Sequence, residues 1–435
     1  MKTVIRPETE MKDSGIEWIG EIPSSWTIFP ANGVFSEAKE KNTDLKFTNA
    51  FSFKYGEIVD KKQVGDVDNN LKETLSSYTI VRKNTIMING LNLNYDFVSQ
   101  RVAIVNESGV ITSAYLAIQP DENKINPRFV LYLLKSYDYQ QVFHGLGSGI
   151  RKTLKYQDFK KIMIVAPTLS EQQVIADYLD KTCSQIDEII AEAKASIYEY
   201  KELKQSVIFE AVTKGLDKNV EFIDSGDEWL GKYPQSYNIG QLSMLSNIVR
   251  GGSPRPAGDP RYYGGNISFM RIADITKDDN IYVNSCENTI TEEGLTRTRM
   301  IPPNTLLLTN SGATLGVPKI NTFETAFNDG IAAFLDLDER LNIVYVYFFL
   351  KARTSYFLEC ASMGMGQPNL NTDIIGRTKI VFPTLVEQQK VVSYLEDRCG
   401  KLNSLISEKE SLINDLEAYK KSLIYEVVTG KRKVV

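Results

Sequence analysis

Between Arg250 and Arg271 the sequence sets guanidinium groups at Arg250, Arg255, Arg261 and Arg271 around Ser253, Tyr263 and the glycine pairs Gly251-Gly252 and Gly264-Gly265. Guanidinium forks can grip phosphates or pair with guanine edges, and glycines let a backbone approach closely. Earlier in the chain, Lys39, Lys41, Lys46, Lys54, Lys61 and Lys62 surround Tyr55, and Arg151, Lys152 and Lys155 precede a long apolar-periodic stretch. In the second half of the chain Gln367, Pro368 and Asn371 align with those last three, and Asn369 lies among them. A lone surface cation is most often a solvated charge, so these residues gain weight only from what positions them. Polar, basic and aromatic loops of this kind suit a nucleic-acid surface.

Other chemistries fail on residue type or spacing. Gly226 to Lys232 has the spacing of a phosphate-cradling loop, but Tyr233 stands where a hydroxyl ligand for magnesium belongs, so a turn is expected. Pro120-Asp121-Glu122-Asn123-Lys124 holds a nuclease's residue types too compressed to come from two strands, and reads as a surface turn. The single histidine, His144, is the one candidate base for a serine or cysteine nucleophile, and its counterpart in the second half is Cys360. Neither a dinucleotide fingerprint nor an Asn-Pro-Pro-aromatic stretch for a flipped base is present. Four scattered cysteines, Cys183, Cys286, Cys360 and Cys399, form no CxxC pair, which argues against zinc and disulfides. The expectation is a chain without an active site or metal site.

Composition is that of a globular protein: 435 residues, 42% hydrophobic and 24% charged. A formal net charge of −5 disfavours indiscriminate coating of nucleic acid and predicts weak binding of DNA by the isolated chain. With no basic-then-apolar start and no apolar run of about 18 residues, a cytoplasmic location is expected.

The elements that position the candidate loops are two long helices. From Glu171 to Thr213 there is no proline or glycine, and apolar residues recur in sevens. Leu179, Ile186, Ala193, Tyr200 and Val207 form one row, and Cys183, Ile190, Ile197, Lys204 and Ala211 the other, which is a coiled-coil seam. Adding 216 gives a second copy, Glu387 to Thr429, with rows that include Leu395, Leu402, Leu416 and Leu423, and Cys399, Ile406, Ile413 and Val427. At ~1.5 Å per residue each helix would be roughly 65 Å long, a ruler between whatever it joins.

The rest of the chain repeats as well. Asp13-Ser14-Gly15-Ile16-Glu17-Trp18-Ile19-Gly20 and Asp224-Ser225-Gly226-Asp227-Glu228-Trp229-Leu230-Gly231 open two halves. Short strands follow, such as Thr79 to Val81, Thr85 to Ile88, Val102 to Val105 and Thr305 to Leu308, then a helix at Pro127 to Tyr139 or Ile343 to Phe357, then a glycine-rich turn. Pro167-Thr168-Leu169-Ser170-Glu171-Gln172-Gln173 and Pro383-Thr384-Leu385-Val386-Glu387-Gln388-Gln389 launch the long helices, with Glu in the first turn favoured by the helix dipole. The expected fold is α+β, with strand-rich domains at 11–166 and 222–382, long helices at 167–215 and 383–430, and the helices paired as an antiparallel coiled coil. Residues 30 to 110 and 240 to 330 diverge most, so the frame repeats while the loops it carries do not.

In these paired openings and paired helix starts the chain resembles the DNA-specificity subunits of Type I restriction-modification enzymes, over nearly its whole length. Gly251-Gly252-Ser253-Pro254, Tyr263-Gly264-Gly265 and Ser311-Gly312-Ala313-Thr314-Leu315-Gly316 resemble that family's target-recognition domains, with Ser253 in place of a commoner threonine. Asn89-Gly90-Leu91-Asn92-Leu93 and Gly109 to Tyr115 resemble a second recognition subclass more loosely. The resemblance implies that each domain reads half of a split site in double-stranded DNA, while the helices set the gap and dock two modification subunits. Those subunits would carry S-adenosylmethionine, and two motor-nuclease subunits would hydrolyse ATP with magnesium, leaving this chain non-catalytic and without a cofactor. The alternative is a coiled-coil scaffold whose domains bind proteins.

Overall fold

A computed structural model of the chain describes residues 2–61, 69–97, 100–147, 149, 152–362 and 369–435. It divides into two compact units, Met1–Ala193 with Ser411–Val435, and Lys194–Glu410. Each unit therefore holds half of each long helix.

In the first unit two sheets carry the strand-rich domain. One has the strand order Val102–Ile104, Ile86–Ile88, Leu116–Pro120, Phe35–Glu37, all antiparallel. The other runs Glu57–Asp60, Ala50–Lys54, Gly109–Ile111, Thr79–Val81, with the central pair parallel. The helix Pro127–Tyr139 buries Phe129, Val130, Leu133, Leu134 and Tyr137. Both termini close the unit, since Thr3–Ile5 pairs antiparallel with Arg432–Val434.

The second unit repeats that plan. Its larger sheet runs Asn247–Arg250, Ile331–Leu335, Leu306–Thr309, Pro318–Asn321, Tyr282–Val283, the first four antiparallel in an order that mirrors the first unit. Its other sheet joins Tyr263–Met270 to Thr325–Phe327 in parallel and Thr325–Phe327 to Met300–Ile301 antiparallel. Sheet order is thus shared even where the sequences diverge most, so the repeat extends into the divergent regions at the level of topology. The helix Ile343–Ser362 runs five residues beyond the expected Phe357.

The long helices are Leu169–Lys214 and Leu385–Val428. Each follows a proline that cannot continue its strand, and each is stopped by a glycine in the left-handed region, Gly215 at φ +73° and Gly430 at φ +76°. A Cβ on Gly430 would lie 2.4 Å from the Pro23 ring, so glycine is needed there for space as well. Among the expected seam residues Leu179, Ile186, Ile190, Leu395, Leu402 and Ile413 are buried, while Ile197 and Ile406 are half-buried. In the first unit Asp187 pairs with Lys420, and Cys183 shares a cavity with Ile424. In the second, Lys204 pairs with Asn403, and Ile208 shares a cavity with Cys399. Numbers rising on one helix meet numbers falling on the other, so the segments pair antiparallel in both units. Part of the seam serves the globular core: Leu395 and Cys399 pack in one cluster with Leu230, Tyr345 and Phe349.

The repeated openings and helix starts have a mechanical role. Gly15 and Gly226 donate their N–H groups to Asp13 and Asp224, and both glycines sit in the left-handed region, making each opening a tight corner rather than a phosphate loop. Trp18 packs edge-on against Tyr137, and Trp229 against Phe349. Asn126 caps its helix by accepting from the N–H groups of Arg128 and Phe129. Its own N–H donates to Gln172 Oε1 at 2.7 Å, while Gln172 Nε2 donates to the Pro167 carbonyl. Asn342, Gln388 and Pro383 repeat the same bonds. Both glutamines are buried, so each Gln-Gln pair bolts a long helix to the helix of its own domain.

Candidate nucleic-acid interface

In the second unit the recognition loops converge where the strand Asn247–Arg250 runs into Gly251-Gly252-Ser253. Gly252 donates to Thr298 Oγ1 and to the Phe327 carbonyl. A Cβ on Gly252 would stand 2.0 Å from the Arg297 carbonyl oxygen, and one on Gly251 2.3 Å from that of Phe327. The close backbone approach expected of these glycines is therefore an approach to the protein's own turns. Ser253 Oγ donates to Asp329 Oδ1 at 2.6 Å, and Arg250 Nε donates to the Asp329 carbonyl. From there Asn310 N–H reaches the Gly330 carbonyl, Leu370 N–H reaches the Asn310 carbonyl, and Ser311 bridges to Asn369. Tyr263 donates its hydroxyl to the Pro254 carbonyl at 2.8 Å, and the Arg271 guanidinium lies 5.7 Å from the Tyr263 ring and 5.9 Å from that of Phe269.

Arg250, Ser253, Tyr263, Arg271 and Asn369 are thus brought into one cluster. Arg255 is exposed on the same loop. Arg261 is the exception, because it forks onto Asp259 at 2.8 Å and 3.2 Å. These hydrogen bonds hold the Asp259 carboxyl below its usual range, so Arg261 reaches the surface with a carboxylate partner beside it. Arg297 and Arg299 are exposed on the turn that packs on Gly252, and form no ion pair among the described residues. They lie some 45 residues from Gly252 in sequence, and no local pattern marks them.

The first unit presents different groups at the same place in the fold. Leu154 N–H bonds to the Gly90 carbonyl as Leu370 does to Asn310. Tyr55 and Gly56 form the two-residue loop of a hairpin closed by Lys54 and Glu57, with Tyr55 at φ +49° and Gly56 at φ +79°, the signature of a type I′ turn. Tyr55 is 88% exposed. A Cβ on Gly56 would touch Gln100, which follows the loop carrying exposed Tyr95 and Phe97. Phe97 stacks on His144 at 5.0 Å, and His144 Nε2 meets the Asp96 carbonyl, which gives the lone histidine a structural place. Lys152 accepts from Leu93 N–H through its carbonyl. Lys41 is exposed and donates to the Ser77 carbonyl and Ser113 Oγ. Arg151 and Gln367 lie outside the described residues, as does Pro368.

The residue that shapes this loop, Arg101, was not marked by the sequence pattern. Its side chain is fully buried and donates to the carbonyls of Asn89, Leu91 and Asp96. Its backbone N–H donates to Asp138 at 2.7 Å. Burial pushes the Asp138 carboxyl up to about 6 despite the opposing pull of Arg101.

Such surfaces can bind. Guanidinium and ammonium groups meet phosphates, and exposed aromatic and amide groups meet bases. Among the described residues no group of three His, Cys, Asp or Glu side chains is placed to hold a metal ion, and no helix is long and apolar enough to cross a membrane. All four cysteines are free thiols.

Known proteins share this architecture. A solved structure described as the basis of complex assembly and conformational transition of the type I R-M system superposes with TM-score 0.73 at 14% identity, covering 94% of this chain and 99% of that one. The HsdS subunit from Thermoanaerobacter tengcongensis superposes with TM-score 0.53 at 15% identity over 94% and 98%. In sequence the chain is 21% identical to a protein assigned as the MjaX specificity subunit of Methanocaldococcus jannaschii, covering 96% of each. It is 22% identical to the EcoBI specificity subunit of Escherichia coli, over 97% of this chain and 89% of that one. The profile of the Type I restriction modification DNA specificity domain matches residues 23–199 and again 234–415. The chain belongs to that family, as a specificity subunit with two tandem DNA specificity domains.

Proposed function

We propose that this chain chooses the DNA sequence for a Type I restriction-modification complex, each unit reading one half of a bipartite site. The observation that carries this reading is one frame built twice around two unlike surfaces: an arginine cluster at Arg250, Arg271, Arg297 and Arg299, and an aromatic and lysine set at Lys54, Tyr55, Tyr95 and Lys152. The long helices fix the gap between half-sites, so two weak readers act together only at the matching separation.

Two modification subunits dock on the helices, with two restriction subunits joining them. Apolar side chains left exposed on the helices support this: Ile189, Leu412 and Tyr419 in the first unit, and Tyr198, Leu203 and Leu405 in the second. The chain itself is non-catalytic and works in the cytoplasm. S-adenosylmethionine, ATP and magnesium are assigned to the partners; in this chain the glycine-rich corner at Gly226 is a turn tied by Lys379, which donates to the Ser225 and Gly226 carbonyls. A protein-binding scaffold would need no such pair of unlike cationic and aromatic surfaces.

The test is to co-express the chain with a modification subunit and map adenine methylation across a random-sequence library by single-molecule sequencing. A split motif with a fixed gap is expected. Methylation at one contiguous motif, or none from a stable complex, would refute the reading.

A further inference from the structure

Each unit contains a cavity bounded by its short helix and both long helices, and the two cavities are lined by corresponding residues. Lys135, Cys183, Lys420 and Ile424 line the first, and Lys351, Cys399, Lys204 and Ile208 the second, each pair 216 apart. Their contents differ. In the second unit the loop after Thr276 drops Asp279 between the two lysines, where it pairs with both Lys204 and Lys351. Burial opposes the charge on Asp279, but these two ammonium groups outweigh it and hold the carboxyl below its usual range. The space left over is about 180 Å³.

In the first unit nothing among the described residues takes the place of Asp279, and the cavity is about 500 Å³. Lys420 has a substitute counter-ion, since Asp187 stands where the second unit has Asn403 and takes its ammonium at 2.6 Å. Asp180 is already taken by Arg128 and the Tyr132 hydroxyl, and Glu188 by the Ser184 hydroxyl. Lys135 is left with neither a hydrogen bond nor an ion pair among the described residues. Burial, together with the Lys420 charge, lowers its pKa, while Glu57 and Asp187 act on it only at a distance. A half-buried ammonium without a partner is costly, and its twin shows what relieves the cost.

We propose that the cavity at Lys135 is a docking socket for an acidic side chain of the modification subunit, which enters as Asp279 enters the twin cavity. This rests on the assembly with modification subunits argued above. A polypeptide is the fitting occupant because the twin is filled by a loop of polypeptide. Duplex DNA is not, because Asp180, Asp187 and Glu188 on the rim face a backbone carrying a charge every ~1.7 Å, which they repel far more strongly than one carboxylate.

The experiment is amine acetylation followed by peptide mass spectrometry, on the full chain alone, with duplex DNA, and in complex with modification subunits. In the free chain Lys135 should acetylate about tenfold faster than Lys351, and in the complex its rate should fall about tenfold. Lys135→Met should weaken assembly by about tenfold or more without lowering the melting temperature, whereas Asp279→Asn should lower the melting temperature and leave assembly unchanged. A stable complex in which Lys135 reacts as in the free chain would overturn the proposal, and so would protection by DNA alone. If no complex forms with modification subunits, the assembly reading fails and the socket with it.

Discussion

The two units share a frame and differ in how they stiffen the surface mounted on it. In the second, rigidity comes from backbone packing: Gly251 and Gly252 lie flat against the carbonyls of Phe327 and Arg297, leaving no volume for a side chain. In the first, it comes from one side chain, Arg101, whose buried guanidinium gathers three loop carbonyls. The same difference runs through the twin cavities, one bridged by Asp279 and the other open at Lys135. A frame that fixes only sheet order and helix attachment leaves each loop free to find its own means of holding still. Such freedom is what a protein needs to read two unrelated half-sites from one architecture.

The difference can be broken at its strongest points. Gly252→Ala sets a methyl group 2.0 Å from a backbone oxygen, so the turn at Arg297 must move. A loss of about 3 kcal/mol or more is expected in the second unit, read by hydrogen exchange, with exchange in residues 79–120 unchanged. Arg101→Met should cost about 2–4 kcal/mol in the first unit by stranding the carbonyls of Asn89, Leu91 and Asp96, with the second unit unaffected. If either substitution loosened both units alike, their independence would be disproved.

The frame itself should show no such asymmetry. Gln172→Leu removes two bonds, to Asn126 and Pro167, and Gln388→Leu removes the matching two, to Asn342 and Pro383, together with a third from its Nε2 to the Arg340 carbonyl. Each should cost about 1–3 kcal/mol, Gln388→Leu slightly more for its third bond, and a loss confined to one of the two in calorimetry would mean that the repeat is not mechanical.

The smallest effect belongs to Asp138. Its folded pKa of about 6 lies above the ordinary aspartate value of 3.8, so the native state holds the extra proton between those values. Stability from this group is full below pH 3.8 and lost as pH rises through 6. The first unit should therefore be more stable at pH 5 than at pH 8 by about 1–2 kcal/mol, and Asp138→Asn should flatten that slope in pH-dependent melting.

Much of the frame was legible because its signals are local. Heptads at Leu179, Ile186, Leu395 and Leu402 announce the long helices, and the tandem Trp18 and Trp229 openings announce the repeat. The functions of the repeated glutamines were not, because Gln172 meets Asn126 46 positions away, and no spacing rule reaches that far. Arg101 was hidden for another reason: an arginine in a loop-rich stretch looks like a surface cation, and only burial among carbonyls shows that it faces inward. The hydrogen bonds of Lys41 were equally illegible, since its partners Ser77 and Ser113 lie 36 and 72 residues away. The partner of Arg261 was legible, because Asp259 stands only two residues earlier.

Two independent readers on one frame make a claim that a single selection can decide. The complex with its modification subunits is presented with a random duplex library, using the natural chain and the double variant Arg250→Ala, Arg271→Ala, and the retained sequences are compared. Relaxed preference is expected at one half-site, by about 1–3 kcal/mol per lost base contact, with the other half-site and the gap unchanged. Relaxation of both halves together, or of neither while the complex stays intact, would contradict it.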